Sequence, residues 1–384
     1  MDMRDSLMLS NLTLDNFDKS FKGSNSLVEE RKNAFLNLKK IGIPNKRIEN
    51  WKYMDLAKIT KGIEFKPRAI NFELLNKNLK GIVVRDFEYF IENKDQYSKL
   101  TKYLDNEGVV YLNLSYAQEA NVIEIRESQS EPLLINISCN EDGVSFPRIK
   151  IDVFPNIEAE VHLFYDGGKG FINQLTEINI QKNSNLRVQR VNKSSAIHSE
   201  TFLSYLGLNS NISLVNLSMP KNKSRFQVYN IFLDQHSCTD FKSVSIPYED
   251  CQDDFLIQNL HMSSNCESNV GLRAILNKGT VCSFQALVDI DLNTSSSKAI
   301  QDCKAILLHE DASMNAKPEM KIFNDDVVCK HGTTIGCLDK EQLFYLQSRG
   351  LSAVSAEKIL LQGVIKNYIS EDSSLNNFLP KVYQ

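Results

Sequence analysis

The segment Cys329-Lys330-His331 joins a thiol and an imidazole in a chain that otherwise offers few such combinations. Cysteine and histidine side chains bind iron, zinc and copper, and iron–sulfur centres accept both residue types. In an extended strand, residues i and i+2 face the same side, so we expect Cys329 and His331 to project together while Lys330 points away. Cys329 and His331 are therefore the candidate metal ligands.

Two ligands do not complete a tetrahedral site, and Cys337 is expected to lie beyond a turn-like segment, residues 332–336. Any metal bound here needs further ligands from elsewhere in the fold or from a second chain. One alternative is a structural pair, a buried cysteine beside a hydrogen-bonded histidine. A Cys/His hydrolase is a third reading, weakened because no Asn or Asp that would orient the histidine stands out.

Composition and charge limit the other classes of function. The chain has 384 residues, 42% of them hydrophobic, and a net charge of -4, so we expect a globular protein that binds neither nucleic acid nor a membrane surface. Its eight cysteines form no CxxC pair, which argues against a disulfide framework and against a ready-made four-cysteine metal site. The first residues lack the apolar stretch of a signal peptide, so we expect a cytoplasmic protein.

The two ends of the chain carry helical patterns. Near the N-terminus a helix with Phe35 and Leu38 on one face ends at Gly42, and Trp51 in the following segment is expected to pack in a core rather than to stack on a ligand. Near the C-terminus, Asp339 is expected to cap a helix that ends at Arg349-Gly350.

A second C-terminal helix is predicted to start at Ser352 or Ser355, and a last short turn to follow it. The apolar side of this helix is expected to carry Ala356, Ile359, Leu360, Gly363 and Val364. Helices this short cannot bury their apolar surface alone, so they must pack on the rest of the fold or on a partner.

From about residue 108 the sequence turns to short apolar runs separated by polar residues, a pattern typical of strands and turns. The polar tips recur at intervals somewhat under thirty residues, near Ser184, Ser210, His236, Ser264 and Thr294. A fixed period without fixed side chains favours stacked coils, a β-solenoid, over an antiparallel sandwich, whose turns fall closer together.

A β-solenoid also permits a different class of function, a carbohydrate-active enzyme that uses two carboxylates on one face of the coils. Asp240, Glu249 and Asp254 are the available acids. We expect them in solvent-like contexts, and no secretion signal directs the chain to such substrates.

Two segments resemble the SufB/SufD family of iron–sulfur cluster assembly proteins, and its SufD branch in particular: residues 317–351, KPEMKIFNDDVVCKHGTTIGCLDKEQLFYLQSRGL, and residues 43–56, IPNKRIENWKYMDL. The resemblance implies a mainly β protein with a right-handed parallel β-helix core flanked by helical domains. We place the N-terminal domain at residues 1–107, the β-helix at 108–337 and the C-terminal, ATPase-binding domain at 338–384.

The resemblance further implies a non-catalytic scaffold subunit of the SufBCD complex. It would form a heterodimer with the paralogue SufB, with a homodimer as the alternative for the isolated chain, and would bind the SufC ATPase, which supplies ATP hydrolysis. The implied SufC contacts are Leu343, Phe344, Tyr345, Leu346, Arg349 and Gly350.

Within this family, His331 would lie at the SufB interface with Cys329 beside it, where a transient iron–sulfur cluster or iron is handled. Lys330 stands where the family usually has serine, and Thr333 where it has alanine. A SufB-like scaffold is the nearest alternative assignment. It is disfavoured because Ala312 aligns near the sulfur-accepting cysteine of SufB and carries no thiol.

Overall fold

The computed structural model describes residues 25–384 except 64, 67, 69–70, 77–78, 86–99, 101, 105, 118–119, 140–142, 382 and 384. Among these residues, no helix combines the length and the apolar character needed to cross a bilayer.

The core is a solenoid of about eight coils in which the chain passes alternately through two sheets. Sheet I contains, in spatial order, β1 (Asn71–Leu74), β4 (Leu133–Ser138), β7 (Glu158–Asp166), β9 (Asn185–Asn192), β11 (Asn211–Ser218), β13 (Cys238–Ser245), β15 (Glu267–Leu276), β17 (Ser297–Leu307) and β19 (Val327–Gly336). Sheet II contains β2 (Ile82–Arg85), β3 (Asn121–Ile125), β6 (Arg148–Val153), β8 (Phe171–Ile180), β10 (Ile197–Leu206), β12 (Lys223–Phe232), β14 (Gln252–His261), β16 (Val281–Ile290) and β18 (Ser313–Ile322), with the short β5 (Val144–Ser145) beside β8. Neighbouring strands are parallel except for β1 with β4 and β2 with β3. The predicted parallel β-solenoid is thus confirmed.

The coil corners lie where the sequence predicts them. Each of the five expected tips carries a non-glycine residue with positive φ: Asn183, Asn209, His236, Asn265 and Ser296. Asparagine tolerates this left-handed conformation better than most residues. Adjacent corners are also joined, because Asn209 Nδ2 donates to Asn183 Oδ1 and Asn183 Nδ2 donates to Asn156 Oδ1, both at 3.1 Å. Polar tips of varied sequence therefore mark one physical repeat.

The interior of the solenoid is built from residues that stack in register from coil to coil. Phe226, Phe255 and Phe284 are aligned on β12, β14 and β16, and all three are fully buried. The next position in this row is Ala316 on β18, which is only partly buried. One coil alone would leave such a row in water, so stacking provides the burial that stabilises the fold.

Helices and a buried tryptophan cover the outer face of sheet II. Helix α1 (Asn25–Ile41), a 3₁₀ turn (Glu49–Trp51), α2 (Leu56–Ile59) and α3 (Gly108–Tyr116) share a second hydrophobic core with that face. Trp51 is fully buried, as predicted, and its indole Nε1 donates to Glu107 Oε2 at 3.2 Å. Arg225 of β12 lies 3.9 Å above the indole ring and donates to the carbonyl of Asn50 at 2.6 Å.

Residues 108–116 differ from the sequence prediction, which placed the onset of strand structure at about residue 108. They form α3, in which every residue is buried. Because this helix is enclosed on all sides, its apolar residues show no helical period, and its valines and tyrosines imitate a strand.

Of the C-terminal helices, the second and the last short one pack on sheet I. Asp339 caps α4 (Lys340–Ser348) by accepting from two backbone amides, and Ser352 caps α5 (Ala353–Lys366), both as predicted. The buried side of α5, however, consists of Ala356, Leu361, Val364 and Ile365, whereas Ile359 is 44% exposed. The predicted stripe is confirmed at Ala356 and Val364 and wrong at Ile359 and Gly363, because several apolar residues in a row leave the contact face undetermined. The predicted last turn is a 3₁₀ helix (Ser374–Phe378).

Candidate metal site at the open end of the solenoid

Cys329 and His331 lie on β19, the last strand of sheet I. Within the described chain β19 pairs only with β17, and the register sets Cys329 opposite Ala299 and His331 opposite Gln301. Ala299 and Gln301 are buried toward the solenoid interior. Cys329 and His331 therefore share the inner face of the sheet, and Lys330, opposite the exposed Ile300, lies on the outer face.

The inner face is open at this end because no further coil among the described residues covers it. Gln301 is 1% exposed one coil below, whereas His331 is exposed and Cys329 is half-buried. The opposing edge strand of sheet II is β18, which carries no buried residue along its length. A thiol and an imidazole thus stand at the rim of an uncovered solenoid core.

The Cys329 side chain is only partly available to a ligand. It packs against Val288, Ile290 and Ala299, and burial raises the pKa of its thiol above the usual value. The protonated form is therefore favoured until a metal or an electrophile displaces the proton. The His331 imidazole, in contrast, is exposed at the open end of the inner face, and its ring makes no hydrogen bond to any other described residue.

Gln301 forms the floor beneath His331. Its amide Nε2 donates to the carbonyl of Ala286 on β16 at 3.1 Å and to that of Glu319 on β18 at 3.2 Å. The side chain thereby links β17 of sheet I to both final strands of sheet II, and the spacing between the two rims of the open end is held from below.

The described residues contain no group of three or more His, Cys, Asp or Glu side chains arranged to hold a metal ion. Cys329 and His331 are therefore two candidate ligands without a third among the residues that the structure describes. The stretch 332–336, expected to be turn-like, instead continues β19 to Gly336, and Cys337 follows as an exposed residue. Thr333, Thr334 and Ile335 have strand propensity, which outweighs the two glycines that suggested a turn.

The residues expected to contact an ATPase lie on an exposed surface. Helix α4 has no buried residue, and Phe344 and Tyr345 are 74% and 57% exposed. Leu343 and Leu346 are half-buried, Arg349 stacks on Tyr345 at 5.2 Å, and Gly350 has the positive φ that ends the helix. Two aromatic side chains thus remain uncovered within the described chain.

The three acids considered for glycan cleavage do not converge. Asp254 is fully buried in sheet II and paired with Arg225, whereas Asp240 lies on sheet I beside Lys242 at 2.8 Å. Glu249 is in a corner turn. A glycosidase needs two carboxyl groups flanking one bond, so the fold offers no support for this alternative.

Sequence reasoning missed two polar clusters near the open end. Lys317 of β18 forms ion pairs with Glu49 of the N-terminal region and with Glu319, so the two segments that carried the family resemblance touch each other. On the outer face of sheet I, Arg273, Asp302 and Tyr368 form the other cluster. No local pattern marks these residues, since each contact depends on register between distant strands.

Residues 136–364, more than half of the chain, match the family described as SUF system FeS cluster assembly, SufBD core domain. The iron–sulfur cluster assembly protein SufD of Escherichia coli is 21% identical over 359 residues, which cover 84% of each chain. SufD of Bacillus subtilis is 26% identical over 132 residues, 34% of this chain and 30% of that protein. A SufBD family protein of Mycobacterium bovis is 28% identical over 137 residues, 36% of this chain but only 16% of that protein.

Proposed function

We propose, given that this chain belongs to the SufBD family of iron–sulfur cluster assembly proteins, that it is a non-catalytic scaffold subunit of a SufBCD complex. In this proposal its open solenoid end meets the paralogue SufB, and the two chains together support iron acquisition and cluster formation. The iron or nascent cluster is the cargo of the site, held there transiently.

One observation carries the proposal. His331 and Cys329 face the same side of an edge strand, His331 is exposed, and no third ligand stands near them in the described chain. A tetrahedral iron or cluster iron needs four ligands. A second chain that covers the open end would supply the missing ligands and also bury the rim of the core.

The same proposal assigns helix α4 to the SufC ATPase. Phe344 and Tyr345 are large and exposed, and exposed aromatic patches of this kind mark protein interfaces. ATP hydrolysis is then a property of the partner, and this chain supplies the anchor.

The test is reconstitution of the complex from this chain, the SufB paralogue and the SufC ATPase, with cluster formation followed by visible absorption. We expect His331→Ala to lower cluster formation by about tenfold or more, since even changes outside the ligand shell cost 10–100-fold at metal sites. His309→Ala is the matched control, because His309 is also partly exposed but lies in the corner before β18.

Both variants should assemble as wild type does, which size-exclusion chromatography checks. If His331→Ala forms clusters at the wild-type rate, the ligand role fails and only the scaffold role remains. If the wild-type chain brings down neither partner, the scaffold role fails as well.

A further inference from the structure

A row of residues on the outer face of sheet I contains two glycines that flank one aspartate. The strand register aligns Gly271 of β15, Asp302 of β17 and Gly332 of β19. Neither glycine has a positive φ, so backbone conformation does not require them. Glycine inside a strand weakens it, and it often marks a place where another group approaches the backbone closely.

At Gly271 a side chain from another element does approach the backbone closely. A Cβ at Gly271 would collide with the hydroxyl of Tyr368, so any larger residue would displace that side chain from its present position. The Tyr368 hydroxyl is 3.5 Å from Asp302 Oδ2, and Arg273 lies 4.4 Å from the tyrosine ring while donating to the same Oδ2 at 2.5 Å. A long donor side chain thus crosses a glycine to reach Asp302 from one side.

Gly332 is the equivalent position on the other side of Asp302, and no side chain of the described residues crosses it. The nearest atom to a Cβ at Gly332 is Asp302 Oδ1, at 3.9 Å. Asp302 is 48% exposed at its side chain, and Oδ1 accepts no hydrogen bond from the described residues. An open notch therefore lies beside an unused carboxylate oxygen, at the free edge of the sheet and one residue from His331.

We infer that Gly332 and Asp302 form a receiving notch for a long hydrogen-bond donor side chain, such as arginine or tyrosine, on a strand of the partner subunit that pairs with β19. This inference rests on the proposed function, which puts a second solenoid at this end. Two strand spacings, about 9.6 Å, separate such a strand from β17. Only a long side chain lying across a residue without a Cβ spans that distance to Asp302 Oδ1.

The notch also gives the interface a register. A strand added to β19 could slip along it, and slippage by one residue would turn every side chain to the other face. A charge-assisted bond to Asp302 Oδ1 holds one residue of the partner at Gly332. The same register then sets which partner residues stand opposite His331 on the inner face.

The test measures the affinity of purified chains for the SufB paralogue by titration calorimetry, using Gly332→Val, Asp302→Asn and their double variant. We expect Gly332→Val to weaken binding by about tenfold or more, because the new side chain fills the notch. Asp302→Asn should weaken binding in the wild-type background. It should change nothing further in the Gly332→Val background, because both substitutions remove the same contact.

Two matched controls accompany these variants. Gly336→Val adds the same side chain on the same face of β19, where a Cβ meets no described atom within 4 Å. Tyr368→Phe removes the donor on the Gly271 side only. Both should bind as wild type does. Circular dichroism melting of each isolated chain checks the fold, and Gly332→Val should melt no lower than wild type because valine favours strands.

Equal losses for Gly332→Val and Gly336→Val, additive effects in the double variant, or wild-type affinity for Gly332→Val would each overturn the notch while leaving the scaffold proposal intact. If the wild-type chain does not bind the paralogue, the scaffold proposal and the notch fall together.

Discussion

At the scale of single residues, burial shifts the pKa of the Asp253 carboxyl group away from its usual value. It points into the solenoid interior from β14, is fully buried and accepts a hydrogen bond from Ser245 at 2.6 Å. Burial raises the pKa of Asp253 from the usual 3.8 to about 6, although nearby serines and Arg190 oppose the rise. The native state therefore holds this proton more tightly than the unfolded chain does.

The sign of the resulting pH dependence follows from linkage. The stabilisation is fully present below the unfolded pKa, near 4, and is lost as the pH rises through about 6. A rise from 3.8 to about 6 corresponds to about 3 kcal/mol in the free energy of unfolding. We expect Asp253→Asn to remove this slope between pH 4 and 6.5, as measured by urea denaturation at several pH values.

The control for this prediction is Asp325→Asn, which makes the same change of charge in an exposed corner turn. It should retain the wild-type pH dependence of the free energy of unfolding. A wild-type slope in Asp253→Asn would show that other groups control stability in this range.

At the scale of secondary-structure elements, Arg225 joins the N-terminal helical region to the solenoid. Its guanidinium lies over Trp51, bonds the carbonyl of Asn50 and pairs with the buried Asp254. Arg225 and Asp254 are both fully enclosed, so neither charge has water to replace its partner.

We expect Arg225→Met to destabilise the protein by about 3–5 kcal/mol, because it leaves the Asp254 carboxylate buried without a counter-charge. Trp51 is the single tryptophan of the chain, so its fluorescence reports this junction alone. In Arg225→Met, the tryptophan emission should shift to longer wavelength at a lower denaturant concentration than the one at which the β-sheet circular dichroism signal is lost.

Arg187→Met is the comparison variant, since Arg187 pairs with Glu160 at 3.2 Å but is 70% exposed. Arg187→Met should lower the free energy of unfolding by only about 0–1 kcal/mol. If both variants unfold alike, or if fluorescence and circular dichroism change together in Arg225→Met, the junction is not a separate weak point.

At the scale of the whole molecule, the two proposed interfaces are formed by different secondary-structure elements, although β19 and α4 are close together in sequence. The open end is built by β18 and β19, while the exposed aromatics of α4 belong to the C-terminal helices. The sites should therefore bind their partners independently, apart from any coupling that the assembled complex adds.

We expect Phe344→Asp with Tyr345→Asp to abolish co-purification of the SufC ATPase and leave binding of the SufB paralogue unchanged. Gly332→Val should weaken binding of the SufB paralogue and leave co-purification of the SufC ATPase unchanged. Pull-down with each partner separately measures both. Loss of both partners from either variant, with the fold intact by circular dichroism, would contradict the separation.

Much of this architecture can be predicted from residues that lie a few positions apart in the sequence. The corner residues, the caps at Asp339 and Ser352, and the shared face of Cys329 and His331 depend on neighbours a few positions away, so turn chemistry, capping and the two-residue strand period predicted them. The sequence pattern did not predict the helix at residues 108–116 because a fully enclosed helix has no polar face.

Only the tertiary structure decided which of these features meet water and which meet each other. His331 is exposed because no coil of the described chain lies beyond β19, and a side chain at Gly271 would collide with Tyr368, 97 positions later. Arg225 and Asn50 touch across 175 residues of sequence. Burial and contacts between strands are properties of the stacked coils. The sequence pattern shows that the coils repeat, but it shows neither which strand ends the stack nor which residues of neighbouring coils touch.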